Sequence, residues 1–201
     1  MNKIIIATNN PDKYREIKNI WKDLEEYELD WLGNYPDIKD IQETGDTLEE
    51  NASIKAKFTA DMLGFYAVAD DTGLFVDYLD GAPGIYSSRF AGENATYEEN
   101  VEKLLDVMEG IPRKERRAEF RCIVCLSRKN EEDIFTMGVV KGYITQKRRG
   151  EHGFGYDPVF EVDETGRTFA QMQPEEKNSI SHRFLAFKNM KNKVREVAQF
   201  G

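Results

Sequence analysis

The segment Lys3–Thr8 constrains the fold of this chain more than any other. Its centre, Ile4–Ala7, is apolar and mostly β-branched, which is typical of a strand buried on both faces. Asn9 and Asn10 then precede Pro11, so Asn10 can cap a helix that has Pro11 at its first position. The order strand, tight turn, helix predicts an α/β protein with an anion-binding helix start near its N-terminus.

Other segments extend this pattern along the chain. The first helix is expected to end at about Leu24, and two capping-box patterns predict further helices. Those helices run from Thr47 to about Leu63 and from Thr96 to Glu109, and a last helix covers Ser181–Gln199. Alternating or continuous apolar runs predict strands at Tyr66–Asp70, Leu74–Leu79, Arg117–Leu126, Asp133–Thr145 and Val159–Phe160. We interpret residues 1–201 as one domain, in which the β-rich segment from about 112 to 150 forms part of a second lobe.

The charge balance excludes one class of partner. The 201 residues include 28 Lys and Arg against 37 Asp and Glu, which gives a formal net charge of −9. A sequence-independent binder of DNA or RNA normally carries a basic face, so we expect no nucleic acid polymer as partner. No apolar run approaches the 18 residues of a membrane span, so no membrane partner is expected either.

Cysteine use points to a cytoplasmic location. Cys122 and Cys125 resemble a C-x-x-C pair, but they lie in a predicted strand, whose side chains alternate between faces. They should therefore point to opposite faces and stay reduced and buried. Together with the lack of an N-terminal secretory signal, this pattern favours a cytoplasmic protein.

Several familiar nucleotide and hydrolase motifs are missing from the sequence. It contains no P-loop, no complete G-x-G-x-x-G and no G-x-S-x-G elbow. What it does contain is a set of loops with hydroxyl, amide, lysine and carboxylate groups. Thr8–Lys13 suits a phosphate at a helix start, although a plain capped helix is the alternative.

Carboxylates supply the candidate metal and catalytic groups. Asp70 and Asp71 close a predicted strand, where α/β proteins place a ligand crevice, so one of them can bind Mg²⁺ or activate water while the other braces a turn. The residues alone leave open which of the two is the base. Glu43 is a second candidate oxygen ligand, with a solvated loop residue as the alternative.

Seven motifs, taken together and in order, resemble the inosine triphosphate pyrophosphatase family over nearly the whole chain. They are Thr8-Asn9-Asn10-x-x-Lys13, Glu43-Thr44-Gly45-x-Thr47, Glu50-Asn51-Ala52-x-x-Lys55-Ala56, Ala69-Asp70-Asp71-Thr72-Gly73-Leu74, Gly81-Ala82-Pro83-Gly84-Ile85-Tyr86-Ser87, Gly153-Phe154-Gly155-Tyr156-Asp157-Pro158 and Glu176-Lys177-Asn178-x-Ile180-Ser181-His182-Arg183. The sequence has Asn9 where the family often has Gly, and Thr72 where it often has Ser. Asn9 can still form the turn, because Asn tolerates left-handed backbone better than most residues. Thr72 keeps the hydroxyl group.

The resemblance implies a fold, a reaction and a set of site residues. The fold would be a central twisted mixed β-sheet flanked by helices, in two lobes with the substrate cleft between them. The reaction would be Mg²⁺-dependent hydrolysis of ITP, dITP and XTP to the monophosphate and pyrophosphate, by a homodimer. Asp71 would be the catalytic carboxylate, and Glu43 and Asp71 the metal ligands. The substrate would be bound by Thr8, Asn9, Asn10, Lys13, Lys55, Thr72, Phe154, Gly155, Tyr156, Asp157, Lys177, His182 and Arg183.

Two rival functions remain at this point. One is a pyrophosphatase for other modified nucleotides, and the other is a nucleotide sensor without catalysis. The intact Glu43, Asp70 and Asp71 argue against the sensor.

Overall fold

The structure, a computed structural model, describes residues 2–38 and 41–200. Its helices are α1 Pro11–Ile20, α2 Leu48–Leu63, α3 Tyr97–Val107, α4 Pro174–Ile180 and α5 His182–Phe200. Its strands are β1 Asn2–Ile6, β2 Tyr27–Trp31, β3 Tyr66–Val76, β4 Pro83–Gly84, β5 Arg117–Ser127, β6 Ile134–Ile144 and β7 Phe160–Val162.

The strands form one mixed sheet in the order β2-β1-β3-β5-β6-β7, with β4 paired to β3. β1 is parallel to both β2 and β3, whereas β3–β4 and β6–β7 are antiparallel. The parallel pairs follow from the predicted strand–helix start of the chain, because parallel neighbours need a crossover between them. The prediction of an α/β fold with a mixed sheet is confirmed.

The chain divides into two compact units. The first contains Met1–Asp71, Cys122–Gly138 and His182–Gly201, and the second contains Thr72–Arg121 and Val139–Ser181. The segment 112–150 is therefore shared, since 122–138 belong to the first unit. Its predicted part in a second lobe, and the interpretation of 1–201 as one domain, stay predictions.

The core of the first unit joins α1 and α5. Trp21 is 1% exposed, packs edge-on against Phe187 and donates its indole N–H to the Phe187 carbonyl at 2.8 Å. Gly138 of β6 lets the start of α5 approach, because a Cβ there would overlap the carbonyl oxygen of His182. These contacts fix the end of α5 that carries His182 and Arg183.

The core of the second unit is aromatic. Phe120, Phe160 and Phe169 lie with ring centroids 4.7 to 6.2 Å apart. Arg116 is 2% exposed, and its guanidinium donates to the carbonyls of Ile144 and Thr145 at 2.7 Å. A buried cation is tolerated here because backbone carbonyl oxygens accept its hydrogen bonds.

The structure corrects the predicted break at Asp70-Asp71-Thr72-Gly73. β3 runs unbroken from Tyr66 to Val76, and Asp77–Leu79 is a short 3₁₀ turn rather than strand. Two adjacent aspartates indicated a strand end because buried carboxylates are costly. Here both carboxylates have cationic partners, so the strand continues through them.

The strands β2 and β4 and the helix α4 were not predicted, and the first helix is shorter than expected. β2 carries the alternation Tyr27-Glu28-Leu29-Asp30-Trp31, a strand signal that the sequence did contain. α4 has seven residues and begins with Pro174, which favours a first helical position. α1 ends at Ile20, four residues before Leu24, where Trp21 closes it.

Cys122 and Cys125 are buried and are not joined in a disulfide, which confirms that they are reduced and buried. Among residues 2–38 and 41–200, no helix has the length and apolar character needed to cross a membrane.

Candidate active site

The turn between β1 and α1 is fixed by its own side chains. Asn10 caps α1 as predicted, with Oδ1 accepting the backbone N–H groups of Asp12 at 2.9 Å and Lys13 at 3.2 Å. Thr8 Oγ1 accepts the Asn10 N–H at 3.2 Å, and the Trp31 indole donates to the Thr8 carbonyl at 2.8 Å. Asn9 is exposed at the tip of the turn. These hydrogen bonds fix the backbone of the turn and of Lys13 at the start of α1.

Asp70 is the centre of a buried ionic network in the first unit. Its side chain is fully buried, and Oδ2 lies 3.1 Å from Lys13 Nζ and 3.2 Å from Arg183 Nη2. Arg183, 2% exposed, also reaches Glu16 Oε2 at 2.6 Å. Burial opposes ionisation of Asp70, but Lys13 and Arg183 outweigh it and hold the pKa of this carboxyl well below its ordinary value. Asp70 therefore stays charged.

Asp71 lies in a different electrostatic environment, because adjacent strand residues point to opposite sides. Its Oδ1 is 3.6 Å from Lys55 Nζ, and Lys55 lies 2.6 Å from Glu43 Oε1. Burial, together with the negative charges of Glu43 and Asp70, raises the pKa of Asp71 above its ordinary value despite the lysine. A carboxylate with a raised pKa accepts a proton more readily than its neighbour.

Lys55 lies between the two carboxylates of this corner. It is 8% exposed, and although burial opposes its charge, Asp71 and Glu43 raise its pKa. Lys55 lies on α2, and a cap stabilises the start of this helix: Thr47 Oγ1 accepts the Glu50 N–H at 3.1 Å. The helix thus holds a charged amine in a mostly buried place.

The first unit contains a concentration of paired carboxylates and cations. Four carboxylates and three cations form two ion-paired groups: Lys13, Asp70, Arg183 and Glu16 in one, and Glu43, Lys55 and Asp71 in the other. Their formal sum is one negative charge, and carboxylate oxygens are the ligands that Mg²⁺ prefers. Within residues 2–38 and 41–200, no three His, Cys, Asp or Glu side chains are grouped so that they could hold a metal ion. The metal-ligand role predicted for Glu43 and Asp71 stays a prediction.

In the second unit, the loop 154–157 is held by a buried ion pair. Lys177 Nζ lies 2.6 Å from Asp157 Oδ2, and that same oxygen accepts the Phe154 N–H at 2.8 Å. Lys177 Nζ also lies 4.7 Å from the Phe154 ring centroid. Tyr156 is buried, donates to the Ser87 carbonyl at 2.9 Å, and has its pKa raised by burial.

Phe154 and Gly155 are the accessible part of that loop. Both are half-buried, and Gly155 adopts φ +60, which favours glycine. A partly exposed ring beside a bare backbone can contact a flat ligand. Thr72 follows Asp71 directly in β3 and is half-buried.

The predicted site residues fall into one group in each unit. The first unit holds Thr8, Asn9, Asn10, Lys13, Glu43, Lys55, Asp71, His182 and Arg183, and the second holds Thr72, Phe154, Gly155, Tyr156, Asp157 and Lys177. His182 is 3% exposed at the start of α5. The roles given to these residues stay predictions.

Sequence reasoning missed Glu16 and the part that Asn51 plays. Glu16 follows Lys13 by three residues on α1, and this spacing places both on one helix face. The spacing could have indicated from the sequence that Glu16 lies near Lys13. Asn51 is 1% exposed, and its Oδ1 accepts the Gly45 N–H at 2.9 Å.

The mixed sheet, with two lysine-paired carboxylates on strand β3, defines an α/β protein. The chain belongs to the Ham1 family, whose model matches residues 4–193.

Relatives and solved structures agree with this family. The chain is 50% identical over 195 residues to the dITP/XTP pyrophosphatase of Thermoanaerobacter sp. (strain X514), with 96% of each chain covered. It is 43% identical over 190 residues to the protein of the same name in Bacillus subtilis (strain 168), with 94% of this chain and 96% of the relative covered. A HAM1 protein from Coxiella burnetii has a similar structure, with a TM-score of 0.88, 39% identity and coverage of 98% of this chain and 100% of that one.

Proposed function

We propose that this chain hydrolyses non-canonical purine nucleoside triphosphates, namely ITP, dITP and XTP, to the monophosphate and pyrophosphate. The observation that carries the proposal is the corner formed by Glu43, Lys55 and Asp71, in which a buried amine lies between two carboxylates. The match to the relatives named dITP/XTP pyrophosphatase covers nearly the full length of those proteins. The resemblance and the chemistry of this corner support the same reaction.

Asp71 is the proposed general base. Water attacks the α-phosphate and pyrophosphate leaves, while the Asp71 carboxylate orients the water and accepts its proton. Without a metal the pKa of Asp71 is raised and that of Asp70 is lowered, so Asp71 is the better proton acceptor of the two adjacent carboxyls. The two adjacent aspartates thereby have different tasks.

Lysines bind the triphosphate in this proposal. Lys13 is held at the helix start by the Asn10 cap and by Asp70, and Lys55 is held by Glu43 and Asp71. Both ammonium groups are preorganised, so little reorganisation is needed when phosphate charge arrives. Thr8 and Asn9 complete the turn around the phosphates.

Glu43 and Asp71 would hold Mg²⁺. When bound, the metal screens the triphosphate and stabilises charge on the leaving pyrophosphate. Lys55, whose charge Asp71 and Glu43 stabilise, would contact a phosphate oxygen from its place in this corner. Mg²⁺ is the proposed metal because the family resemblance implies it, and carboxylate and phosphate oxygens suit this ion.

Base selection would depend on the purine 6-position. A donor in the site pairs with a 6-keto oxygen, while a 6-amino group leaves that donor unpaired, which costs affinity in a buried site. Phe154 and the Gly155 backbone would contact the base face, and the Lys177–Asp157 pair holds that loop in place. His182 and Arg183 are the proposed readers of the base.

We also propose a cytoplasmic homodimer without nucleic acid polymer or membrane partners. Two free, buried thiols suit a reducing compartment. Phe58 and Met62 are 43% and 61% exposed one helical turn apart on α2, so an apolar face is available for self-association. Light scattering should return twice the mass of one chain, and the mass of a single chain would contradict the dimer.

The decisive experiment is pyrophosphate release from ITP, dITP, XTP, ATP, GTP and dUTP, with and without Mg²⁺. We expect turnover of the first three nucleotides with Mg²⁺ and little of the others. Equal cleavage of ATP and ITP would overturn the selectivity, and preference for dUTP would favour the rival pyrophosphatase. Binding of ITP without any turnover would favour the sensor.

A further inference from the structure

Helices α2 and α3 begin with the same five-residue pattern. Thr47-Leu48-Glu49-Glu50-Asn51 opens the first, and Thr96-Tyr97-Glu98-Glu99-Asn100 opens the second. In each, the threonine hydroxyl caps the helix by accepting the N–H of the second glutamate, at 3.1 Å in α2 and 3.2 Å in α3. The repeated pattern allows one helix start to serve as a reference for the other.

The asparagine at the end of this five-residue pattern has the same structural role in both helices. Asn51 and Asn100 are 1% and 2% exposed. Asn51 Oδ1 accepts the Gly45 N–H at 2.9 Å, and Asn100 Oδ1 accepts the Ala91 N–H at 2.8 Å. Each side chain therefore ties the loop before its helix to the helix itself.

The two asparagines differ at the amide nitrogen. Asn100 Nδ2 donates to the Ser88 carbonyl at 3.0 Å, so its amide is satisfied on both sides. Asn51 Nδ2 is buried and has no hydrogen-bond partner within residues 2–38 and 41–200. A buried donor without an acceptor is rare and unfavourable, so a bound ligand is the natural source of the missing oxygen.

Asn51 lies beside the proposed phosphate-binding corner. It precedes Lys55 by four residues on α2, which places both side chains on one helix face. Gly45, which Asn51 holds, comes two residues after Glu43, and Lys55 lies 2.6 Å from Glu43 Oε1. A Cβ on Gly45 would come within 2.9 Å of Asn51 Oδ1, so the glycine lets the loop approach this amide closely.

We propose that Asn51 is a further substrate-binding residue, whose Nδ2 donates to a phosphate oxygen of the nucleotide while its Oδ1 holds the Glu43 loop. The inference rests on the proposed function, because that function supplies the triphosphate. A phosphate oxygen is a charged acceptor, so the hydrogen bond would be stronger than one between neutral groups. Lys55 and Asn51 would bind the same phosphate group from successive turns of α2.

The first test compares Asn51→Asp with Asn100→Asp. The aspartate at position 51 keeps an acceptor for the Gly45 N–H but replaces the donor with a negative oxygen. We expect the KM for Mg-ITP to rise about 10- to 100-fold, the range of one hydrogen bond to a charged group. Asn100→Asp should lower the melting temperature without raising KM. Equal, unchanged KM values in both variants would overturn the proposal.

The second test uses the unmodified chain and does not depend on folding of a variant. The Asn51 side-chain amide protons are followed by ¹⁵N NMR while Mg²⁺ alone, inorganic pyrophosphate alone, and both are added. We expect the Asn51 amide signal to shift and its protons to exchange more slowly when pyrophosphate is present, with the Asn100 amide unchanged. No response, or a response to Mg²⁺ alone without further change, would overturn the phosphate contact.

These two tests separate this proposal from the proposed function. Failure of the unmodified chain to release pyrophosphate from any purine triphosphate would overturn the function. The NMR titration needs no turnover, so it decides the Asn51 contact in either case.

Discussion

At the scale of single residues, Asp70 and Asp71 illustrate how strand geometry separates two identical side chains. Asp70 points toward Lys13 and Arg183 and keeps its charge, whereas Asp71 points toward Lys55 and Glu43 and has a raised pKa. The pair therefore differs in partners rather than in chemistry. Two substitutions distinguish their tasks.

Asp71→Asn is expected to lower kcat for ITP about 10²- to 10⁴-fold, the usual contribution of a general base. The far-UV circular dichroism spectrum and the melting temperature should stay close to those of the unmodified chain. Asp61→Asn, on the exposed face of α2, is the control, since it makes the same charge change away from the site. Full activity of Asp71→Asn would remove Asp71 from the proposed mechanism.

Asp70→Asn is expected to act on stability first. It leaves the buried Arg183 guanidinium and Lys13 without their shared carboxylate, and breaking a buried ion pair costs about 3–5 kcal/mol. Urea unfolding at neutral pH measures this loss. A free energy of unfolding within about 0.5 kcal/mol of the unmodified chain would show that the network contributes little.

At the scale of elements, α2 is the helix that connects the candidate site to the sheet of the first unit. One side of it carries Asn51 and Lys55. Elsewhere, Ser53 Oγ donates to Asp133 Oδ2 at 2.6 Å, and Lys57 Nζ lies 3.1 Å from the same oxygen. Ser127 Oγ, at the end of β5, donates to Asp133 Oδ1 at 2.6 Å. Asp133 thus fixes the helix against the β5–β6 connection.

Asp133→Ala is expected to lower the free energy of unfolding by about 2–3 kcal/mol at neutral pH, because the buried Ser127 hydroxyl and the half-buried Ser53 hydroxyl lose their acceptor. Asp23→Ala is the control: Asp23 pairs with Lys191 at 2.8 Å but is 59% exposed, so its loss should cost about 0.5 kcal/mol or less. Equal effects of the two substitutions would contradict the fixing role of Asp133.

The Asp133 carboxylate also makes the free energy of unfolding depend on pH. Burial opposes ionisation of Asp133, but the hydrogen bonds from Ser127, Ser53 and Lys57 lower its pKa below the ordinary value of 3.8. A lowered pKa in the folded state means that its stabilisation is complete above about pH 4 and is lost as the pH falls below that. The stability difference between Asp133→Ala and the unmodified chain should therefore shrink below about pH 4 in urea unfolding.

At the scale of the whole molecule, the net charge of −9 and an anionic substrate are compatible because binding depends on local charge. Lys13 and Lys55 are held near carboxylates that stabilise their charge, rather than on a basic face. Such a site suits a small anion that brings a divalent cation. With an excess of acidic residues over the whole chain, we expect no binding of a polymer of phosphates.

Duplex DNA is accordingly expected not to bind at about 150 mM salt, while Mg-ITP binds. Fluorescence anisotropy of labelled DNA and calorimetry with a non-hydrolysable ITP analogue measure the two affinities. DNA binding that persists as salt is raised would contradict the exclusion of nucleic acid polymers.

The sequence by itself determined the α/β class, the capped starts of α1, α2 and α3, and the buried cysteines. These follow from local causes: β-branched runs, caps and alternation act within a few residues. The same local rules predicted a break at Asp70-Asp71, because the sequence does not show which distant cations reach a carboxylate.

Only the tertiary structure decided the partners of the charged residues. Arg183 is far from Asp70 and Glu16 in sequence, and only the packing of α5 against α1 and the sheet brings their charges together. The same holds for Asn51, whose missing acceptor becomes visible when its neighbours are known. Hydrogen bonds and ion pairs depend on distances of a few ångströms between segments that the sequence separates, and such distances are properties of the folded chain.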